Sequence, residues 1–104
     1  MPRRPQLGPS SDPEVLILTS LAAGPKHGYA MMQDIEEFSG TLLGPGTLYT
    51  AITRLVQKKK IAPEQVEQRQ RPYRITDEGT ASLSEELQKM RKIASFGIRR
   101  LRFS

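Results

Sequence analysis

Apolar positions recur with a helical period in four blocks of the chain, and a short β-type interval separates the third block from the fourth. The most sharply divided block opens at Leu42-Leu43-Gly44-Pro45-Gly46-Thr47-Leu48-Tyr49 and runs to about Lys60. Gly44 can act as an N-cap, and Pro45 suits the first turn, where its missing N–H costs nothing. Leu48, Ile52, Leu55 and Val56 then fall at i, i+4, i+7 and i+8 as one buried stripe. The opposite arc holds Gly46, Thr47, Thr50, Thr53, Arg54 and Gln57: hydroxyls, an amide and a guanidinium, with no carboxylate. Such a face suits the base edges and phosphates of a DNA major groove. An ordinary amphipathic surface helix is the alternative.

The first helix is predicted to begin with a capping box, Ser11 to Glu14, with Pro13 in its first turn. Val15, Leu16, Ile17, Leu18, Leu21 and Ala22 make it apolar around most of its circumference, central to a core or shared between a core and a partner chain. Gly24-Pro25 ends it. A second helix is expected over about Gly28 to Phe38, with Tyr29, Met32, Ile35 and Phe38 as its buried edge, His27 at its entry and Gly40 closing it. Two short helices joined by a turn, the second with a polar outer face, make a helix-turn-helix. Lys58-Lys59-Lys60 places cations at the end of the reading helix, favourable to its dipole and to a DNA backbone alongside.

Ile61 to Glu67 and Arg71 to Ile75 read as two strands, the second on an edge because of Pro72. The tip Gln68-Arg69-Gln70-Arg71 is basic and amide-rich, as in a wing reaching DNA through Arg69 and Arg71. From Thr76 to about Leu101, Leu83, Leu87, Met90, Ala94, Gly97 and Leu101 follow a 4-3-4-3-4 spacing, the seam of a packed helix pair, widened by Ile93 and Ile98. A helix this long projects beyond so small a head and needs another chain to cover it. Leu16 is grouped with the same dimerisation set, and packing of the terminal helix on helix one is compatible with it. The fold class is therefore mainly α with a small β-hairpin: a winged helix-turn-helix over 11–76, a C-terminal dimerisation helix and basic tail over 77–104, and a flexible basic arm over 1–10.

Length and charge agree with one small domain facing a polyanion. The chain has 104 residues, a formal charge of +5 and no cysteine, which excludes disulfides, zinc–thiolate sites and thiol catalysis. A lone histidine cannot build a metal cluster, and no couple of catalytic groups appears at workable spacing. Gly44-Pro45-Gly46 is not a phosphate loop, since no Lys-Ser/Thr follows at the required offset. No apolar run approaches membrane-spanning length, and the N-terminus lacks the apolar core of a secretory signal. The expectation is a cytoplasmic protein that is not an enzyme, needs no cofactor and works away from membranes.

Certain residues also resemble the PadR-type transcriptional regulators. They are Leu18-Thr19-Ser20-Leu21-Ala22-Ala23-Gly24-Pro25-Lys26-His27-Gly28-Tyr29, Leu43-Gly44-Pro45-Gly46-Thr47-Leu48-Tyr49, Arg54-Leu55 and Tyr73-Arg74-Ile75-Thr76-Asp77-Glu78-Gly79, within roughly 14–90. The resemblance implies a homodimeric winged-helix repressor on an inverted-repeat operator, of the compact subgroup with one short terminal helix. It implies that Tyr29, Thr47, Tyr49 and Thr50 lie near DNA. It departs from the family pattern at Gly44, where Ser or Thr is common, at Lys60, where glycine is usual, and at a wing tip without glycines.

The expected function is a sequence-specific DNA-binding regulator. Lys58, Lys59, Arg69 and Arg71 would supply counterion-release affinity, and Thr50, Thr53, Arg54 and Gln57 base discrimination, with Gly46 and Tyr73 also in the interface. The expected partners are double-stranded DNA and a second copy of the chain. Two other readings stay open at this stage: a sensor binding a small hydrophobic effector at the dimer interface, and a protein-interaction winged helix without specific DNA binding.

Overall fold

A computed structural model describes residues 12–64 and 72–103. Helices α1 (Pro13–Ala22), α2 (Gly28–Ser39) and α3 (Pro45–Gln57) are followed by strands β1 (Ile61–Pro63) and β2 (Tyr73–Ile75), and then by helix α4 (Asp77–Arg102). The expected arm over 1–10 and the wing-tip residues Gln68, Arg69, Gln70 and Arg71 lie outside the described residues.

Helix α1 is the centre of the core. Val15, Leu16, Ile17, Leu18 and Leu21 are all buried, and α2, α3, β2 and α4 pack around it. Its N-cap is Asp12, whose Oδ1 accepts the Glu14 N–H at 2.9 Å, so the expected start at Ser11 shifts by one residue. Leu16 is 4% exposed, already covered by its own chain, and so has no surface left to offer a partner. Gly24 follows the C-cap Ala23 with φ +144°, a conformation that favours glycine.

In α2 the buried line is Gly28, Met31 and Ile35, corrected from the expected Tyr29, Met32, Ile35 and Phe38. Steps of three residues fall short of a full turn by about 60° each, so that series winds around the helix instead of staying on one side. Tyr29 is 67% exposed as a result. Gly40 stops the helix in the left-handed region at φ +74°, with its N–H on the Glu36 carbonyl. In α3, Leu48, Ala51, Ile52 and Leu55 are buried, while Val56 sits at the edge and is exposed.

The reading helix stops at Gln57, short of Lys60. Lys59 adopts φ +64°, its N–H reaches the Val56 carbonyl at 3.0 Å, and the Lys60 N–H reaches that of Leu55 at 2.9 Å. This is a Schellman stop made without glycine, and its left-handed residue is Lys59, not Lys60.

Strands β1 and β2 are antiparallel, with Ile61 opposite Ile75 and Pro63 opposite Tyr73. Among the described residues Glu64 and Pro72 fall outside the strands, and the rest of the expected extents, 65–67 and 71, lies outside the described residues. On the other edge of β2, Tyr73 exchanges two backbone hydrogen bonds with Lys26, at 2.9 and 3.1 Å, joining the α1–α2 loop to the hairpin as a third rung. The Lys26 Nζ donates to the Ser20 carbonyl at 2.6 Å, and the buried Ser20 hydroxyl donates to Asp34 Oδ2 at 2.7 Å, fastening α1 to α2.

Thr76 starts α4. Its Oγ1 accepts the Gly79 N–H at 3.0 Å and donates to the Lys59 carbonyl at 2.7 Å, while its N–H bonds the Lys60 carbonyl at 3.0 Å. Leu83 is buried against the core and Met90 packs partly on it. Every described residue from Arg91 onward is exposed.

Candidate nucleic-acid interface

The polar arc of α3 lies in the open. Gly46, Thr47, Thr50, Thr53, Arg54 and Gln57 are exposed, with Leu48, Ile52 and Leu55 locked into the core behind them. The threonines differ in what their hydroxyls do. The Thr53 Oγ1 donates to the Tyr49 carbonyl at 2.9 Å within the helix, whereas Thr47 and Thr50 border an open concavity with Gly46, Ala51 and Arg54. Among the α3 residues expected to discriminate bases, Thr53 therefore has its donor engaged and presents mainly a methyl group and an acceptor oxygen.

Two phenols extend this face. Tyr29 lies in the first turn of α2, and Tyr49, 48% exposed, projects from α3 so that its ring end rests on Gly28. A Cβ built on Gly28 would overlap the Tyr49 Oη and lie 2.8 Å from its Cζ. The H-G-Y glycine thus leaves room for the end of the Tyr49 ring where α2 meets α3. We expect Gly28→Ala to keep the fold, since helix propensity gains about 0.5–1 kcal/mol and a half-exposed ring can swing away. The Tyr49 ring resonances should move while the unfolding midpoint stays within a few degrees; unmoved resonances would contradict the contact.

The helix N-termini divide into two kinds. Asp12 caps α1 and Thr76 caps α4, and acidic residues occupy the first turn of each, Glu14 in one and Asp77 and Glu78 in the other. Helices α2 and α3 start at His27 and Gly44 with no side-chain cap and no acidic residue in the first turn. Their leading N–H groups and positive dipole ends are left for an outside anion. Tyr29 and Tyr49 stand beside the first of these ends, and Gly46 and Thr47 belong to the second.

The remaining expected contacts are spread out. Lys59 is exposed at the end of α3. Lys58 is exposed but engaged: its Nζ donates to Glu14 Oε1 on α1 at 2.9 Å. Tyr73 packs its side chain partly against the core and holds Lys26 through its backbone, so its first duty is to the sheet. Arg69 and Arg71 are outside the described residues. Of the expected dimerisation residues, Leu83 is buried within the chain and Met90 half-buried, whereas Leu87, Ala94, Gly97 and Leu101 are exposed. Sequence reasoning missed three features: the Glu14–Lys58 pair, the open end of α2, and the close approach at Gly28. The absence of Ser, Thr, Asp or Asn at position 27 was the one available signal for the second.

This arrangement, three helices with a two-stranded hairpin and a long terminal helix, matches a known family. The family model described as the PadR-like transcriptional regulators covers residues 17–85. The chain belongs to the PadR-like family. In this chain α3 is exposed and packs beside the hairpin, the arrangement of a winged helix. A PadR family transcription regulator from Clostridium difficile R20291 superposes with a TM-score of 0.75 at 28% identity, over 86% of this chain and 97% of that one. A transcriptional regulator from Clostridium thermocellum gives a TM-score of 0.72 at 25% identity, over 85% and 87%. An uncharacterized 37.1 kDa protein in transposon TN4556 of Streptomyces fradiae is 41% identical over 85 residues, 82% of this chain. This PadR-like chain spans about a quarter of the length of that curated relative. No helix among its described residues is long and apolar enough to cross a membrane.

Proposed function

We propose that the chain is a sequence-specific transcriptional repressor that binds an inverted-repeat operator as a homodimer, with α3 in the major groove. The observation that carries this reading is the contrast between helix starts. The two helices of the helix-turn-helix have no side-chain cap and no acidic residue in their own first turns, while α1 and α4 are capped and acidic. The α2 end beside the exposed Tyr29 and Tyr49, and the α3 end at the head of the carboxylate-free arc, suit phosphates flanking a groove. Thr47, Thr50, Arg54 and Gln57 then face base edges, Lys59 follows the backbone, and Arg69 and Arg71 extend the contact from the wing.

In this reading residues 11–76 form the reading head, 1–10 an accessory basic arm, and 77–104 the dimerisation helix with its tail. Support for dimerisation comes from α4, where Leu87, Ile98 and Leu101 are exposed on one side of a helix that buries only Gly79 and Leu83 in its own chain. Work inside the cytoplasm, on the chromosome, follows from the same role.

The deciding experiment titrates the full chain against its own upstream DNA and a scrambled duplex at several salt concentrations. Preference for the upstream sequence by about a thousandfold or more supports a specific regulator. Equal binding with a steep salt slope would replace it with non-specific phosphate binding. Within the specific complex, Arg54→Ala should lose about 1–3 kcal/mol of discrimination at one base pair, since an arginine fork reads guanine through two acceptors. A selection of preferred sequences by parent and variant measures this, and unchanged preference would remove Arg54 from the reading set.

A further inference from the structure

The acidic start of α1 borders the reading face. Asp12, Pro13 and Glu14 form one wall of a concavity whose other wall is Gly46, Thr47, Thr50, Ala51 and Arg54. Asp12 is held as the α1 N-cap, and Glu14 sits in the first turn, where the helix dipole favours a carboxylate. From there Glu14 Oε1 reaches the far end of α3 and accepts a hydrogen bond from Lys58 Nζ at 2.9 Å, across 44 residues of sequence. A cation placed to meet a phosphate is thus already paired, by a residue on a different helix.

We propose that Glu14 restrains sequence-independent binding to duplex DNA by competing with phosphate for Lys58. The inference rests on α3 facing DNA. When a phosphate takes Lys58, it releases a counterion from the DNA, but the carboxylate left behind must recruit a cation from solution. Release and uptake cancel, so Lys58 contributes to contact geometry without adding to the salt slope. A neutral amide at position 14 keeps the side chain's length and removes the competitor, leaving Lys58 as a free cation before DNA arrives. Asp12 keeps the α1 cap in that variant, so the head keeps its fold, which circular dichroism would check.

The test compares the full chain with Glu14→Gln and with the double variant Glu14→Gln/Lys58→Gln, on the scrambled duplex and on upstream DNA, across a salt series. Glu14→Gln is expected to tighten binding to the scrambled duplex about two- to fivefold per subunit at low salt, the scale of one exposed ion pair. It should also steepen the plot of log affinity against log salt by about 0.9 per subunit, the slope of one added phosphate contact. The double variant should return to the parent slope. Unchanged slope and affinity in Glu14→Gln, with both proteins still binding DNA, would overturn the inference alone. A steep slope that persists in the double variant would also overturn it, because the effect would then not pass through Lys58. Failure of the parent and both variants to retain any duplex at any salt would overturn the DNA-binding reading and this inference with it.

Discussion

Replacing Gly79 with alanine should destabilise the chain by about 3 kcal/mol, the upper end of ordinary overpacking costs. For a domain of this size that lowers the melting midpoint by roughly 12–24 °C. A Cβ at position 79 would overlap the Lys60 carbonyl oxygen and approach Ile75 Cγ1 to 2.9 Å. Neither neighbour can give way easily. The Lys60 carbonyl is fixed by the Thr76 N–H at 3.0 Å, and Thr76 is itself bonded to Lys59 and to the Gly79 N–H. Thr76 and Gly79, the last two fixed positions of the Y-R-x-T-x-x-G motif, are therefore a joint between α4 and the end of α3. Calorimetry would check this, with Gly97→Ala as reference. A Cβ at Gly97 meets nothing within 4 Å in its own chain, so that exchange should be neutral or stabilising by about 0.5–1 kcal/mol. Equal midpoints for the two variants would sink the close-approach account.

The double change Leu87→Asp and Ile98→Asp should leave a folded head that is monomeric at micromolar concentration. Both side chains are exposed, at 42% and 58%, so their loss takes little from the core. Charges on the seam would be costly in a dimer, where they meet another apolar stripe without a partner. Loss of simultaneous engagement of two half-sites should weaken operator binding by about a hundred- to ten-thousandfold, while single half-sites are held as before. Sedimentation and a titration on full and half operators would measure both. A variant that stays dimeric would remove this stripe from the interface. Leu83→Asp makes the contrast: Leu83 is buried, and that charge should unfold the head instead.

The sequence was most legible where one physical constraint acted locally. The polar arc of α3, the starts at Gly44 and Thr76, the stop at Gly40 and the long α4 each follow from periodicity or from a capping residue nearby in sequence. It was least legible where a second element decided the outcome. Tyr29 and Phe38 satisfy a three-residue spacing, yet only the placement of α1 and α3 determines that Met31 and Ile35 face inward. The end of α3 was overrun by three residues because a lysine, not a glycine, takes the left-handed position at 59. Ala51 was passed over for Val56, since hydrophobicity ranks valine higher while helix angle favours alanine. Within the site, exposed hydroxyls and cations could be read from the arc, but the pairing of Lys58 with Glu14 joins residues 44 apart. Leu16 shows a related limit: an all-round apolar helix does not say how much of its surface one chain covers, and Leu16 is buried within its own chain.

The joint at Thr76 and Gly79 makes α4 a lever. Its root shares hydrogen bonds with Lys59 and Lys60, the residues that end α3, so the two helices cannot turn independently. Its 26 residues extend about 39 Å. A tilt of about 5° at the root therefore carries the far end through roughly 3 Å on that helical rise. In the proposed dimer the motion runs equally in reverse. A small repacking where two α4 helices meet becomes a change in the distance and angle between two reading helices, and the operator's half-site spacing becomes a gauge of how the tails are packed.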